Sequence, residues 1–329
     1  MTRRELLILL GGAAVLYPAD GTAQPQGAGR LGIVMAVGKT PEYLDAVGGF
    51  KDALASLGWK ASVNLAIDER WLSGDSAQAR SAVAEILALN PDVILAQSTA
   101  VVEALKEAAR SVPVVFVHVA DPVAAGIVPS LAHPGGNVTG ITNTEPTIGG
   151  KWLQLLKEVV PSVTRAAMLV NPDSWPDEGA LFLRPFEDAA KALGVTPVTG
   201  DVRDLQGVEA TMRDLAAQPG GGIVVTPDAL FASHSGQIVA FAERFRLPVA
   251  YPYRYYVAQG GLLCYGVNNV DLFRQAAPYV ARILKGEKPG NLPIQRPTRF
   301  NLVVNLKTAK AFGLAVPPSF LARADEVIE

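Results

Sequence analysis

The fold is decided by residues 30–67, which read RLGIVMAVGKTPEYLDAVGGFKDALASLGWKASVNLAI. Leu31–Val37 is a continuous apolar run, which is typical of a strand buried on both faces of a parallel sheet. Apolar residues then recur every three or four positions from Leu44 to Leu57, which predicts a helix closed by Gly58. A second strand is predicted at Ala61–Ile67. The stretch is therefore one strand–helix–strand unit of an α/β protein.

The same alternation continues on both sides of a stretch at 121–147 that is rich in Gly, Pro, Asn and Thr. Right-handed crossovers place such series in doubly wound sheets. Further strands are predicted at Asp92–Ala96, Val114–Val119, Ala166–Val170, Val195–Thr199, Gly222–Thr226, Val249–Tyr251, Leu262–Tyr265 and Arg299–Asn305. Helices are predicted at Gly150–Val160, Gly179–Leu193, Leu205–Ala217, Ser235–Phe245, Asp271–Leu284 and Leu306–Phe312.

Two successive series of this kind predict an α/β fold of two doubly wound parallel-sheet lobes joined by a multi-stranded hinge. Roughly 305 residues after an N-terminal leader suit two domains better than one compact core. We assign residues 30–145 to an N-terminal lobe and 146–266 to a C-terminal lobe. Residues 267–290 are expected to return to the first lobe, and 291–329 to hold a hinge-crossing strand and C-terminal helices.

The first 24 residues predict a cleaved export signal. Arg3 and Arg4 precede an apolar run from Leu6 to Leu16, and small residues follow at Gly21–Ala23. That run of roughly eleven residues is well short of the ~20 that span a bilayer. A short membrane anchor or an N-terminal helix is the alternative, and the arginine pair also resembles a twin-arginine signal, which leaves the export route open. Removal of residues 1–24 would deliver the protein to the periplasm.

Composition argues against several classes of protein. The 29 Lys and Arg residues nearly balance the 31 Asp and Glu residues, and no basic cluster indicates a nucleic-acid partner. Cys264 is the single cysteine, so neither an internal disulfide nor an N-terminal lipid anchor is expected. The histidines His118, His133 and His234 lack the spacing of metal ligands. We therefore predict no metal and no cofactor.

Signatures of common enzyme classes are also missing. Gly38-Lys39-Thr40 matches the last three residues of the phosphate-binding-loop motif. The motif is nevertheless absent, because five residues separate Gly32 from Gly38 where the motif has four. The sequence has no Gly-x-Ser-x-Gly nucleophile elbow. Cys264 lies in a predicted apolar strand with no basic neighbour to lower its pKa, so its thiol is expected to be inert. The protein is predicted not to be an enzyme.

Polar residues follow several predicted strands, at the edge where open α/β sheets bind ligands. Ser98 and Thr99 stand at a helix start, where their hydroxyls and free backbone N–H groups either hold a carboxylate or cap the helix. Asp121, Asp173 and Asp228 either accept hydrogen bonds from a ligand ammonium or hydroxyl, or serve in turns and caps. We expect at least one of these carboxylates to contact the ligand.

Aromatic side chains gather near the predicted strand ends of the second lobe. They suit a flat or apolar ligand, and ordinary core packing is the alternative for each of them. We place Tyr253 among the expected ligand-binding residues. His118 is interpreted as a core histidine or a residue at the rim of a pocket. The aromatic set comprises Trp175, Tyr251, Tyr253, Tyr255 and Tyr256.

Several longer motifs together resemble one known family. They are Arg3–Glu5 with Leu10–Ala14, Leu57–Trp59, Asn90–Ile94, Pro113–Val117, Asp121–Val123, His133–Gly140, Gly149–Leu153 and Asn305–Lys310. With these, the chain resembles over nearly its whole length the substrate-binding proteins of ABC transporters, in the family that includes tryptophan- and tyrosine-type components. The resemblance implies a type I periplasmic-binding fold that holds a ligand between its lobes and delivers it to a membrane permease. It also implies pocket residues at Ser98, Thr99, Asp121, Asn143, Asp173 and Asp228, of which Asn143 rests on the resemblance alone.

These observations predict a monomeric, extracytoplasmic receptor of an ABC importer. Its ligand is expected to be a small carboxylate-bearing molecule, an amino acid or an aromatic-type compound, held between the two lobes. The partner is expected to be an ABC permease in the membrane. A periplasmic sensing module that reports to a membrane receptor is the alternative, and the sequence does not name the ligand.

Overall fold

The computed structural model describes residues 28–73, 78–145, 147–174 and 180–329. These residues form two β-sheets, each flanked by helices. The prediction of two α/β lobes with doubly wound sheets is confirmed. The leader predicted at 1–24 and the side chain of Trp175 lie outside the described residues.

The first lobe holds a five-stranded parallel sheet in the order β2-β1-β3-β4-β5. Because helices cover both of its faces, strands β3 and β4 are buried at every position, as continuous apolar runs predict. The strands are β1 Gly29–Met35, β2 Leu65–Trp71, β3 Val93–Gln97, β4 Val114–Val117 and β5 Val138–Ile141. The helices are α1 Pro41–Ser56, α2 Ala79–Leu87 and α3 Thr99–Ala108.

The second lobe holds a seven-stranded sheet in the order β12-β11-β10-β9-β8-β6-β7. Strands β10 and β11 pair antiparallel, and the other neighbours are parallel. The strands are β6 Arg165–Val170, β7 Thr196–Asp201, β8 Gly221–Val225, β9 Val249–Tyr251, β10 Leu263–Gly266, β11 Asn301–Asn305 and β12 Glu326–Ile328. The helices are α4 Ile148–Val159, α5 Ala180–Leu193, α6 Leu205–Ala216, α7 Ala229–Ser233, α8 Ser235–Phe245, α9 Arg254–Ala258, α10 Asn269–Leu284, α11 Leu306–Ala311 and α12 Pro318–Leu321.

The chain passes between the two sheets more than once. Helix α10 follows a strand of the second sheet but packs against α1 of the first lobe. The segment after α10 then lies beside β5, where the Gln295 carbonyl accepts a hydrogen bond from the Thr142 N–H at 2.9 Å. Strand β11 afterwards rejoins the second sheet. These passages hold the two lobes side by side.

Three of the local differences from the sequence prediction have a clear physical reason. Strand β2 begins at Leu65 rather than Ala61, because Asn64 Oδ1 accepts the Lys60 N–H at 2.8 Å and closes a turn there. Strand β5 lies inside the 121–147 stretch, where four residues are too few for an apolar pattern to stand out among turn residues. Strand β4 ends at Val117, because His118 adopts a φ of 58°.

Helices α4 and α5 approach each other closely beside the second sheet. A Cβ at Gly149 in α4 would stand 2.2 Å from the Phe182 carbonyl oxygen in α5. Trp152 is fully buried, lies 5.7 Å from the Phe182 ring, and donates Nε1–H to the Tyr265 carbonyl at 2.7 Å. Glycine at position 149 therefore lets α5 pack directly onto α4.

Among the described residues, none of the helices combines the length and the hydrophobicity that crossing a bilayer requires.

Candidate functional site

A cavity partly open to solvent lies between the two lobes and is called here the interlobe cavity. Its walls come from residues at or just after the carboxyl ends of β1, β3, β4 and β5 in the first lobe, and of β6, β8 and β9 in the second. This is the edge at which open α/β sheets bind ligands.

Most of the predicted site residues line this cavity, but two do not. Asp121 closes the turn after β4, where its Oδ1 accepts the N–H groups of Val123 and Ala124 at 3.1 and 3.0 Å. Asp173 is exposed and pairs with Arg203 at 3.0 Å. Both carboxylates therefore have local partners away from the cavity. The predicted residues that line it are Ser98, Thr99, Asn143, Asp228 and Tyr253.

The N-terminus of α3 forms one part of the cavity wall. Ser98, which precedes α3, has a φ of 87°, in the left-handed region that favours glycine. Its hydroxyl makes no capping bond to the helix, is buried, and has no hydrogen-bond partner. The first-turn N–H groups of a helix also lack partners within the helix. The Ser98 hydroxyl and these N–H groups can thus hold an anion in the cavity.

Asp228 provides an acidic group on the opposite lobe. Its Oδ1 accepts the Leu230 N–H at 2.8 Å and the Asn171 Nδ2–H at 3.3 Å. Burial raises the pKa of this carboxyl above its ordinary value, and hydrogen bonds from Ser174 and Asn171 partly oppose that rise. Among the described lining residues no lysine or arginine faces it. An ammonium group on a ligand would provide the missing positive charge.

A hydrogen-bond chain joins the two lobes at the cavity. Tyr253, from the second lobe, accepts the Asn143 Nδ2–H at 2.8 Å, and its Oη lies 3.1 Å from His118 Nδ1. Asn143 and His118 belong to the first lobe, and all three side chains are buried. Asn143 Oδ1 and His118 Nε2 have no hydrogen-bond partner. Burial lowers the pKa of His118 to about 3, so the imidazole is neutral at physiological pH.

Tyr43 and His118 also line the cavity; Tyr43 was not predicted, whereas the rim of a pocket was one of the two interpretations of His118. Tyr43 lies in the first turn of α1, where its aromatic ring fits the pattern of a core-facing helix position. The centroid of its ring is 6.0 Å from that of His118. The sequence feature that could have located both residues in the cavity is their position soon after a strand of the first sheet. Tyr251, Tyr255 and Tyr256 instead stack on one another in the core of the protein.

The family model for ABC transporter substrate binding proteins matches residues 32–328. The chain belongs to this family. Members are extracytoplasmic solute-binding proteins, which bind small molecules and work with ABC permeases. The resemblance predicted from the sequence is therefore confirmed. In the described parts of this substrate-binding protein, no group of three or more His, Cys, Asp or Glu side chains could hold a metal ion.

Relatives with known ligands match nearly the whole chain. The tyrosine-binding protein of Clostridioides difficile is 26% identical over 285 residues, which cover 87% of this chain and 81% of the relative. An ABC domain from Streptococcus pneumonia, solved in complex with L-Trp, is 25% identical in sequence and superposes with a TM-score of 0.84. The match covers 92% of this chain and 100% of the Streptococcus chain. The substrate-binding protein is thus similar to proteins that bind aromatic amino acids.

A third relative bears on the arrangement of the lobes. The ligand-free, open structure of a substrate-binding protein with adhesive properties from Clostridium difficile is also 25% identical and covers 91% of this chain and 99% of its own, but its TM-score is 0.66. The present structure therefore superposes better on the L-Trp complex than on the open form. The hydrogen bonds that Tyr253 makes across the lobes agree with that arrangement.

Proposed function

We propose that this protein is the solute-binding component of an ABC importer and holds an amino acid with an apolar or aromatic side chain in the interlobe cavity. The observation that carries the proposal is the buried Ser98 hydroxyl, which has no protein partner and stands beside the N-terminus of α3. A carboxylate bound there would accept hydrogen bonds from Ser98 and from the free N–H groups of the helix.

The rest of the cavity matches the rest of such a ligand. Asp228 supplies a negative charge for the ammonium group. Ala36, Leu72 and Ala79 form an apolar, mostly small-residue wall in the first lobe, and the Tyr43 ring lines the same cavity. The apolar character of this wall suits an apolar or aromatic side chain. The tyrosine-binding and L-Trp-bound relatives support the same class of ligand.

Transport would depend on closure of the lobes around the ligand. Ser98 and Asp228 lie on different lobes, so one amino acid contacts both of them only when the lobes are closed. A ligand with higher affinity for the closed form shifts the population toward it. The permease would then recognise the closed, loaded protein. The protein would act as a monomer, without catalytic activity and without a nucleic-acid partner, in the periplasm after loss of residues 1–24.

Isothermal titration calorimetry with the twenty L-amino acids tests this proposal. We expect binding of at least one apolar or aromatic amino acid, and a rise in its dissociation constant of about tenfold or more in S98A and D228N, because each leaves a charged ligand group without its partner. S233A is the matched control for serine, since Ser233 Oγ is also buried and unpartnered but lies outside the cavity.

D204N is the matched control for the aspartate variant, because Asp204 likewise caps a helix, accepting the Gly207 N–H at 2.7 Å, but lies outside the cavity. Both controls should bind as the wild type does. Absence of binding across the whole panel would contradict the proposed function.

A further inference from the structure

The direction of the hydrogen-bond chain Asn143–Tyr253–His118 follows from the donors and acceptors that its members supply. Asn143 donates through Nδ2 to Tyr253 Oη at 2.8 Å. The tyrosine hydroxyl has one proton, and its other neighbour in the chain is His118 Nδ1 at 3.1 Å. A neutral imidazole has one protonated and one bare nitrogen. Nδ1 therefore accepts the tyrosine proton, and Nε2 carries the proton of the ring.

Neutrality of the His118 ring follows from its surroundings. Burial lowers its pKa to about 3, and the nearby Asn269 amide only partly opposes this. The ring also has a fixed position, because His118 adopts a φ of 58° directly after β4 and lies edge-on to Tyr43. The acceptor at Nδ1 is thus present over the whole physiological pH range.

The direction of the chain decides which end of the Asn143 amide remains available. With Nδ2 bonded to Tyr253, the other end is Oδ1, which is buried and has no partner, on a residue that lines the interlobe cavity. A buried acceptor of this kind is costly unless a donor reaches it. If position 118 had no acceptor, the Tyr253 hydroxyl would donate its proton to Asn143 Oδ1 instead. The Asn143 amide would then adopt the flipped orientation, with its NH₂ group toward the cavity.

We infer that His118 is a positioning residue which, through Tyr253, keeps the Asn143 oxygen available to the cavity and so selects ligands that carry an ammonium group over the corresponding carboxylic acids without one. This inference rests on the proposed function and names the substrate class of the same site: α-amino acids rather than aryl carboxylates. Asp228 lies near enough to Tyr253 for its charge to add to the effect of burial on the hydroxyl pKa. Asp228 and Asn143 both line the interlobe cavity, and we take them as two acceptors for one ammonium group.

The test compares each amino acid with its analogue lacking the amino group. Dissociation constants are measured by calorimetry for L-tryptophan and indole-3-propionate, and for L-tyrosine and 3-(4-hydroxyphenyl)propionate. The wild type should prefer the amino acid in at least one pair. In Y253F the preference should fall about tenfold, which is the typical cost of leaving one buried hydrogen-bonding group unpaired.

A rescue separates this positioning role from a merely structural one. A carboxylate at position 143 is an acceptor at both of its oxygens and has no donor to turn toward the cavity. The double variant Y253F/N143D should therefore regain a preference for the amino acid and match N143D alone, because the added charge acts equally in both and Tyr253 has no amide left to orient. Y251F is the matched control, because Tyr251 Oη is also buried but lies outside the cavity, and it should keep the wild-type preference.

H118G is the second variant, in case Y253F fails to fold as judged by thermal unfolding. Glycine adopts the left-handed backbone at this position without strain, and it removes the imidazole acceptor. Its preference for the amino acid should also fall about tenfold. A wild-type preference in folded Y253F or H118G, or a lost preference that N143D does not restore, would overturn the inference and leave the proposed function standing. Wild-type protein that prefers neither amino acid over its analogue would also overturn the inference, whereas only absence of binding across all twenty amino acids would contradict the proposed function.

Discussion

At the scale of single residues, the cavity is marked by polar atoms that are buried yet lack partners. Ser98 Oγ and Asn143 Oδ1 are both of this kind, and both belong to residues that line the cavity. Such atoms gain most from a ligand that satisfies them and penalise one that does not. Discrimination between ligands at this site therefore depends more on a few polar contacts than on the apolar area that is buried.

Asp228 gives ligand affinity a predictable dependence on pH. Burial raises its pKa above the ordinary 3.8, so the ligand-free protein takes up a proton at a higher pH than a free aspartate does. A ligand ammonium favours the charged carboxylate, so affinity should be full above the raised pKa and should fall as the pH drops through it.

Calorimetry between pH 4 and 8 measures this dependence, and D228N should flatten it. His118, with a pKa of about 3, stays neutral across that range, and burial raises the pKa values of Tyr43 and Tyr253 above it. An equally steep pH dependence in D228N would show that another group is responsible.

At the scale of helices and strands, close contacts between elements are set by glycine. The Gly149 position in α4 has no room for a side chain, because a Cβ would stand 2.2 Å from a backbone oxygen of α5. A backbone atom cannot rotate away as a side chain can. The helices themselves must then separate to admit any larger residue, which would disturb the fully buried Trp152.

G149A should therefore lower the free energy of unfolding by about 1–3 kcal/mol. G48A is its matched control in α1, where a Cβ would meet nothing within 4 Å. That control should raise the free energy of unfolding by about 0.5–1 kcal/mol, because alanine favours the helix. Urea denaturation with an unchanged slope measures both. Equal stabilities for the two variants would contradict the close contact between α4 and α5.

Sequence periodicity predicts elements better than it predicts the site. Strand β9 and helix α8 were predicted to the residue, because alternation and helical spacing are local properties of the chain. Asp121 and Asp228 both follow strands next to a proline, yet only Asp228 lines the cavity. Tyr43 was missed for the same reason. Which strand ends face the cavity depends on how the two lobes meet, and that is not a local property.

At the scale of the whole molecule, closure couples ligand binding to stability. Ligand at a hundred times its dissociation constant should raise the free energy of unfolding by about 2.7 kcal/mol. The melting temperature should rise by several degrees, and small-angle X-ray scattering should show a smaller radius of gyration with ligand than without. D228N, with a dissociation constant about tenfold higher, should gain only about 1.4 kcal/mol at the same ligand concentration. A radius that ligand leaves unchanged, with binding confirmed by calorimetry, would contradict closure of the lobes.

Helix α10 also sets an order for folding. The α1 helix of the first lobe packs against α10, and these partners are more than two hundred positions apart along the chain. Synthesis proceeds from the N-terminus, so the core of the first lobe stays incomplete until Leu284 has left the ribosome. Contacts this distant in sequence slow folding. The lobe that is made first thus cannot complete its core until most of the chain has been made.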